Sequence, residues 1–346
     1  MVNMKVAMYY NNNDVRIEEM PVPSIKDDEL LVKIHASGIC GSDVMEWYRI
    51  KKAPRVLGHE IAGEIVEIGR KVKGYKKGDR VFVSHHVPCN SCYYCVNNQH
   101  TLCRMLHTTN FHPGGFAQYI QVPGVNIEKK GVLLLPSNMS YQEAVFIEPL
   151  ACVIRGLHVA CVKPGQSMIV VGAGISGLLH VKLANVLKIK RVLAVDVSDY
   201  RLTVAKSFGA YAAFKPSEAT LNNIKDVNEG ELPDIVAICT GAPSAIENAL
   251  GFVRPGGVVL FFAPPEPGVK IPFSLFDLWN KQVRMVSTYA GSPSDLKEAL
   301  DIISSKRITV TDMITHKLPL SETAEGFRLV AKADKSIKVI IEPQRL

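Results

Sequence analysis

Residues 167–177 read SMIVVGAGISG, a run of β-type residues that breaks into glycines and leads straight into the amphipathic stretch SGLLHVKLANVLK over 176–188. Gly172, Gly174 and Gly177 form GxGxxG between a strand and a helix, the context that gives this motif meaning. The first glycine permits a tight turn, the second lets backbone approach a pyrophosphate, and the third lets helix and strand pack closely. The N-terminus of the helix that follows adds unpaired N–H groups and a favourable dipole, and Ile175 in the turn is a further candidate cofactor contact. RVLAVDVS over 191–198 reads as the second strand and ends on Asp196. A carboxylate there accepts hydrogen bonds from the adenine ribose hydroxyls and repels a 2′-phosphate, which argues NAD over NADP. Arg201 lies nearby, and its cation would partly accommodate that phosphate.

Outward from this turn the rhythm holds from about 165 to 290. A helix over RLTVAKSFGA and apolar runs at DIVAICTG, GGVVLFFAP and VRMVSTYA, with PSAIENALGFV as a crossover helix, predict a parallel, doubly wound α/β sheet. Before about 150 the pattern differs. VRIEEMPVP, ELLVKIHASGIC, IAGEIVEIG, DRVFVSHH and GGFAQYIQVP are short, Gly- and Pro-punctuated strands of a small β-barrel-like domain. After Tyr289 a helix over DLKEALDIISSKR precedes a last apolar strand, IKVIIEP, expected to return to the first domain. The expected layout is 1–150, 151–290 and a C-terminal segment 291–346.

The chain is long enough, at 346 residues and 47% apolar, to build two cores. No apolar run approaches a membrane span and the N-terminus has no leader pattern, so the expectation is a cytoplasmic protein with no membrane partner. Its 40 basic residues are interleaved with 33 acidic ones, a mixed solvated surface and not a nucleic-acid footprint.

Four of the eight cysteines crowd into PCNSCYYCVNNQHTLC, where Cys89, Cys92, Cys95 and Cys103 have the spacing C-x2-C-x2-C-x7-C. In a reducing compartment such clustering points to metal. Four thiolates saturate tetrahedral zinc and leave no position for substrate, so this zinc is expected to be structural. An iron–sulfur cluster uses similar spacing, but nothing else in the chain points to electron transfer. Cys40 in GICGSD, His59 and Glu60 in LGHE, and Glu148 in IEPLAC are too far apart for spacing to single them out. Together, one thiolate, one imidazole and one or two carboxylates would make a zinc site with room for an exchangeable ligand.

The succession GICGSD, GHE, the four-cysteine loop, GGFAQY, EPL and VVGAGISG resembles, over essentially the whole chain, the zinc-containing medium-chain alcohol dehydrogenases, especially the sorbitol (iditol) and polyol branch. The resemblance implies a GroES-like catalytic domain beside a Rossmann domain, two zinc ions per chain, and a homodimer or homotetramer. It also implies catalytic zinc held by Cys40, His59 and Glu148, with Glu60 as an alternating ligand and Ser42 passing the substrate proton outward. Zinc lowers the pKa of an alcohol so that a zinc-bound alkoxide gives up hydride to the nicotinamide. Pro149 is expected to bias Glu148 towards extended backbone, favouring it as the resident ligand.

Two positions depart from that pattern. Met45 stands where relatives commonly carry the histidine that completes the proton relay. Arg155 replaces an uncharged residue or a histidine, read either as a contact for an acidic or phosphorylated substrate or as a surface arginine. Trp47, Tyr48, Thr109 and Phe111 are candidate walls for a small polar substrate. A threonine-type amino-alcohol dehydrogenase, a ketone reductase of the same fold and a non-catalytic binding protein are the alternatives. The last would be expected to have lost Cys40, His59 or a glycine of the turn, and all are present.

Overall fold

A computed structural model describes residues 2–345, and the chain divides into two compact units, Met1–Ala151 with Gly291–Leu346, and Cys152–Ala290. The division falls inside the helix Ile147–Ala160.

The second unit is built on a six-stranded parallel sheet. Its order is Ala212–Phe214, Arg191–Val195, Ser167–Val171, Ile235–Ile238, Val258–Phe261, Arg284–Ser287. Numbered by sequence this is 3-2-1-4-5-6, the doubly wound order in which a dinucleotide sits where the order reverses. All five residues of the central strand Ser167–Val171 are buried, which is why the sequence shows a continuous apolar run there and no alternation. Ile169, Leu193, Val236 and Val259 supply one face of its core, against Ile246 and Phe252.

The first unit carries a seven-stranded sheet in the order Ile314–Pro319, Lys338–Glu342, Leu30–Gly38, Glu60–Ile68, Arg80–Ser84, Val132–Leu134, with Tyr119–Val122 also on Leu30–Gly38. A three-stranded sheet joins Asp14–Pro21, Asn3–Asn11 and Arg55–Val56. Leu30, Val32 and Ile34 alternate into one core with Ile61, Ile65, Val81 and Val83, the period-2 signature of a curved sheet around a filled interior. Lys338–Glu342 pairs antiparallel with the end of Leu30–Gly38, Ile340 opposite Gly38. That register brings the chain's last strand beside the Gly38–Cys40 corner.

One local expectation fails. Glu148 is helical, in the first turn of Ile147–Ala160. Pro149 is tolerated there because the N–H it lacks would have no partner in a helix's first turn. No helix among the described residues is long and apolar enough to cross a membrane.

Candidate metal centres and cofactor turn

The four-cysteine loop folds into a compact knot. Sγ–Sγ separations are 3.9 Å for Cys89–Cys95, 3.6 Å for Cys92–Cys95 and 3.6 Å for Cys89–Cys103. Tetrahedral zinc with ligands at ~2.3 Å sets its sulfurs ~3.8 Å apart, whereas a disulfide requires ~2.05 Å. The thiols are free, and all four fall within one ligand sphere. Backbone amides are already aimed at them: Cys92 N–H donates to Cys89 Sγ and Cys89 N–H to Cys103 Sγ, each at 3.3 Å. Amides around Ser91 and Cys92 pull the Cys89 thiol down to about 5, while burial and the neighbouring sulfurs push Cys95 up to about 12. Four sulfurs this close can all be thiolates only around a cation, and zinc fits the set.

The second cluster gathers Cys40, His59 and Glu60, whose ligand atoms lie within 4.8 Å of one another. Cys40 caps the short turn Gly41–Val44 and accepts from Ser42 N–H at 3.4 Å, while its own N–H donates to Asp43 Oδ2 at 3.1 Å. Asp43 is fully buried, with Oδ1 3.4 Å from His59 Nδ1. A carboxylate on one ring nitrogen fixes the imidazole and leaves the other nitrogen for a metal. Burial alone would lower the His59 pKa, but the Asp43 carboxylate and the Cys40 sulfur carry it well above its usual range.

Glu60 is buried at the start of its strand, and its Oε2 receives the ammonium of Lys338, itself fully buried and also 3.4 Å from the Ile39 carbonyl. Space for the pair depends on Gly38, where a Cβ would overlap Glu60 Oε2 and crowd the end of Lys338. Glu148 is buried in its helix turn but is not one of the three clustered ligands.

Ser42 Oγ donates to Cys40 Sγ at 3.4 Å and accepts from Arg49 Nη2 at 2.8 Å. Arg49 Nε also reaches the Ser42 carbonyl at 2.9 Å, and Nη2 lies 3.3 Å from Asp43 Oδ1. A guanidinium thus occupies the neighbourhood in which Met45 provides no polar group. Asp43, Arg49 and Lys338 are the residues that sequence reasoning missed. A lysine inside the apolar run IKVIIEP was the available signal for one of them, since lysine is rarely fully buried unless paired.

Of the four candidate pocket walls, two serve other ends. Phe111 is 2% exposed and packs in the barrel core with its edge towards His85. Thr109 Oγ1 accepts from Val87 N–H at 3.0 Å, tying down its own loop. Trp47 is half-buried and Tyr48 exposed, and the Arg49 guanidinium lies over the Tyr48 ring at 4.7 Å from its centre. Arg155 lies half-buried in the helix Ile147–Ala160.

In the second unit Gly172 adopts φ +96°, and a Cβ on Gly177 would overlap the Gly172 carbonyl oxygen. Neither position accepts a side chain without opening the turn. Gly174 caps the helix Ile175–Val186. Asp196 Oδ2 accepts from Ala173 N–H at 2.7 Å and Oδ1 from Ser198 N–H at 2.9 Å, so the carboxylate is locked against the glycine turn. Beside it opens a cavity of about 230 Å³ lined by Gly172, Asp196, Val197, Thr240 and Phe252 among others. Arg201 Nε is buried with no hydrogen-bond partner, and its Nη1 stands 3.9 Å from where a Gly174 Cβ would be. The turn, the acid and the cavity fit a dinucleotide.

Comparison with known proteins agrees with this chemistry. Residues 26–131 match the alcohol dehydrogenase GroES-like domain and residues 174–305 the zinc-binding dehydrogenase domain. A probable D-xylulose reductase A of Aspergillus clavatus is 31% identical over 95% of this chain and 94% of its own. A sorbitol dehydrogenase of Bacillus subtilis is 30% identical over 99% and 98%. A zinc-binding dehydrogenase of Sinorhizobium meliloti solved with NADP superposes with TM-score 0.88 at 26% identity, covering 99% of this chain and all of that one.

Proposed function

The chain belongs to the zinc-binding medium-chain dehydrogenases, and we propose that within them it moves a hydride between NAD(H) and a secondary hydroxyl of a small polyol or sugar alcohol. The observation that carries this reading is the contrast between two metal centres: one closed by four thiolates, the other offering one thiolate, one imidazole and a carboxylate, which leaves room for a hydroxyl. When bound, zinc supplies a Lewis acid that lowers the pKa of that hydroxyl, and the nicotinamide accepts the hydride.

The chain's own residues do the rest. Cys40 and His59 would hold the catalytic metal together with Glu148, the carboxylate that the family pattern implies, and Asp43 would keep His59 in the tautomer that ligates. Glu60, whose Oε2 holds the Lys338 ammonium, stands among the clustered ligands and would serve as a further or alternating ligand. Ser42 receives the substrate proton. Arg49 only donates hydrogen bonds, so it orients the Ser42 hydroxyl without taking the proton. Asp196 accepts from the adenine ribose, with Gly172, Gly174, Ile175, Gly177 and Arg201 around the pyrophosphate.

Two further features complete the reading. Phe273, Leu275, Phe276 and Trp279 are exposed beside the sheet-edge strand Arg284–Ser287, a face that fits pairing with a second copy as a homo-oligomer. Eight free cysteines suit the reducing cytoplasm. The test is a screen of polyols, sugar acids and amino alcohols with NAD, following the absorbance of the reduced nicotinamide. Turnover of polyols supports the proposal, and turnover confined to threonine-type amino alcohols or to ketones replaces it with the corresponding alternative.

A further inference from the structure

One side of the Cys40–His59 cluster carries more cationic charge than the chain itself satisfies. Arg49 is fixed there by Ser42 and Asp43, and its side chain is only 16% exposed. Arg55 lies four residues before His59 on the strand Arg55–Val56, whose partner is Met8–Tyr9. It is half-buried, and among the described residues its guanidinium makes no hydrogen bond or ion pair. Burial first, and then the Arg49 charge, hold its pKa down; Tyr48 and Asp43 act in the opposite sense. Asp43 is already shared by the Cys40 amide, His59 and Arg49. It therefore does not serve as Arg55's own counter-ion.

The His85 ring centre lies 4.9 Å from that of His59 and 3.7 Å from that of His86, tilted by 36° to the latter. His85 Nδ1 is buried without a hydrogen-bond partner. A desolvated guanidinium with no counter-charge is costly unless something else supplies one. Its planar fork matches an oxyanion bidentately, and the neighbouring Arg49 reinforces the field.

We propose that Arg55, backed by Arg49, receives an oxyanion carried by the substrate, which makes the preferred substrate a polyol bearing a phosphate ester or a carboxylate. This rests on the polyol reading of the same site and narrows it. The anion docks on the Arg55 side while the reacting hydroxyl faces Cys40 and His59. Remote binding energy of this kind orients the substrate at the reacting carbon.

Two measurements on the zinc-loaded full chain test it. The first compares kcat/KM for sorbitol, a sorbitol phosphate and gluconate in wild type, Arg55→Gln and Arg55→Lys. Wild type should favour one of the two anions over sorbitol, and which one identifies the group. Arg55→Gln should reduce that preference about 10- to 100-fold, the scale of one charge-assisted hydrogen-bonded contact, with Arg55→Lys in between. The second follows the thermal midpoint as inorganic phosphate is added. Phosphate should stabilise wild type and the control Arg70→Gln, which removes an exposed charge elsewhere, and should lose its effect in Arg55→Gln. Equal stabilisation of Arg55→Gln, or a wild type that prefers sorbitol, overturns the inference. If no polyol of any charge is turned over, the polyol reading falls, and the phosphate titration still decides whether Arg55 binds an oxyanion.

Discussion

Replacing Lys338 with Met should unbalance the metal centre from behind. Lys338 and Glu60 are 0% and 1% exposed, and each is the other's counter-ion. Methionine fills most of the lysine's volume, so the main loss is charge, and Glu60 is left as a buried carboxylate without a partner. Breaking a buried pair from one side costs about 3–5 kcal/mol. In a domain of this size each kcal/mol moves the thermal midpoint by roughly 2–4 °C, so the metal-free variant should melt about 6–20 °C below wild type. Zinc offers Glu60 another cation; loading the variant should recover part of the loss while turnover falls, because Glu60 then occupies the position a hydroxyl needs. The double variant Lys338→Met with Glu60→Gln removes both charges and should regain much of the stability, since the two effects are coupled. Differential scanning calorimetry with and without zinc, alongside steady-state rates, reads all of this. A Lys338→Met protein within ~1 kcal/mol of wild type, below the cost of an unpaired buried charge, or a double variant no more stable than the single, would refute the reasoning.

Other outcomes follow from the same geometry. Asp196→Gly removes the carboxylate that holds Ala173 and Ser198 N–H and would repel a 2′-phosphate; the ratio of kcat/KM for NAD to that for NADP should drop by at least tenfold, about 1.4 kcal/mol, and a wild type that already prefers NADP contradicts this reading. Glu143 tests pH dependence: burial would raise its pKa, but Lys306 and the Ser140 capping bonds lower it overall. Its stabilisation is therefore complete above the unfolded value of about 4.3 and is lost as pH falls through the lower folded value. Glu143→Gln should flatten the acid limb of the stability curve, and parallel acid limbs for the two proteins would count against the assignment. Glu148→Ala should lose zinc from the catalytic centre while Glu60→Ala mainly loses turnover, with metal analysis of the pair deciding between them; the reverse result exchanges the two roles.

The parts of this molecule that local sequence encodes were readable from it. Ser167–Val171 is buried on both faces and therefore continuously apolar, and the glycines after it are required by one positive φ and one close approach. The cysteine lobe is specified by spacing within 15 residues. Other features depend on partners that sequence order hides. Glu60 meets Lys338 across 278 residues, so neither residue announces the other, although a lysine in an apolar strand hints at a buried partner. Arg49 reaches Ser42 through a turn of irregular backbone, where no periodicity applies. Thr109 and Phe111 have the composition of a pocket wall, and only packing shows that one ties its own loop and the other fills the core. Pro149 illustrates competing local rules, and its place in a helix's first turn outweighs the extended bias it puts on Glu148.

The most direct test of the two-centre account is zinc content per chain, measured beside NAD-dependent polyol turnover in wild type and Cys40→Ser. The account predicts two zinc ions in wild type and one in the variant, with the fold and the four-cysteine knot intact and turnover abolished. A variant that keeps both ions, or that turns polyols over at the wild-type rate with only one, would contradict it.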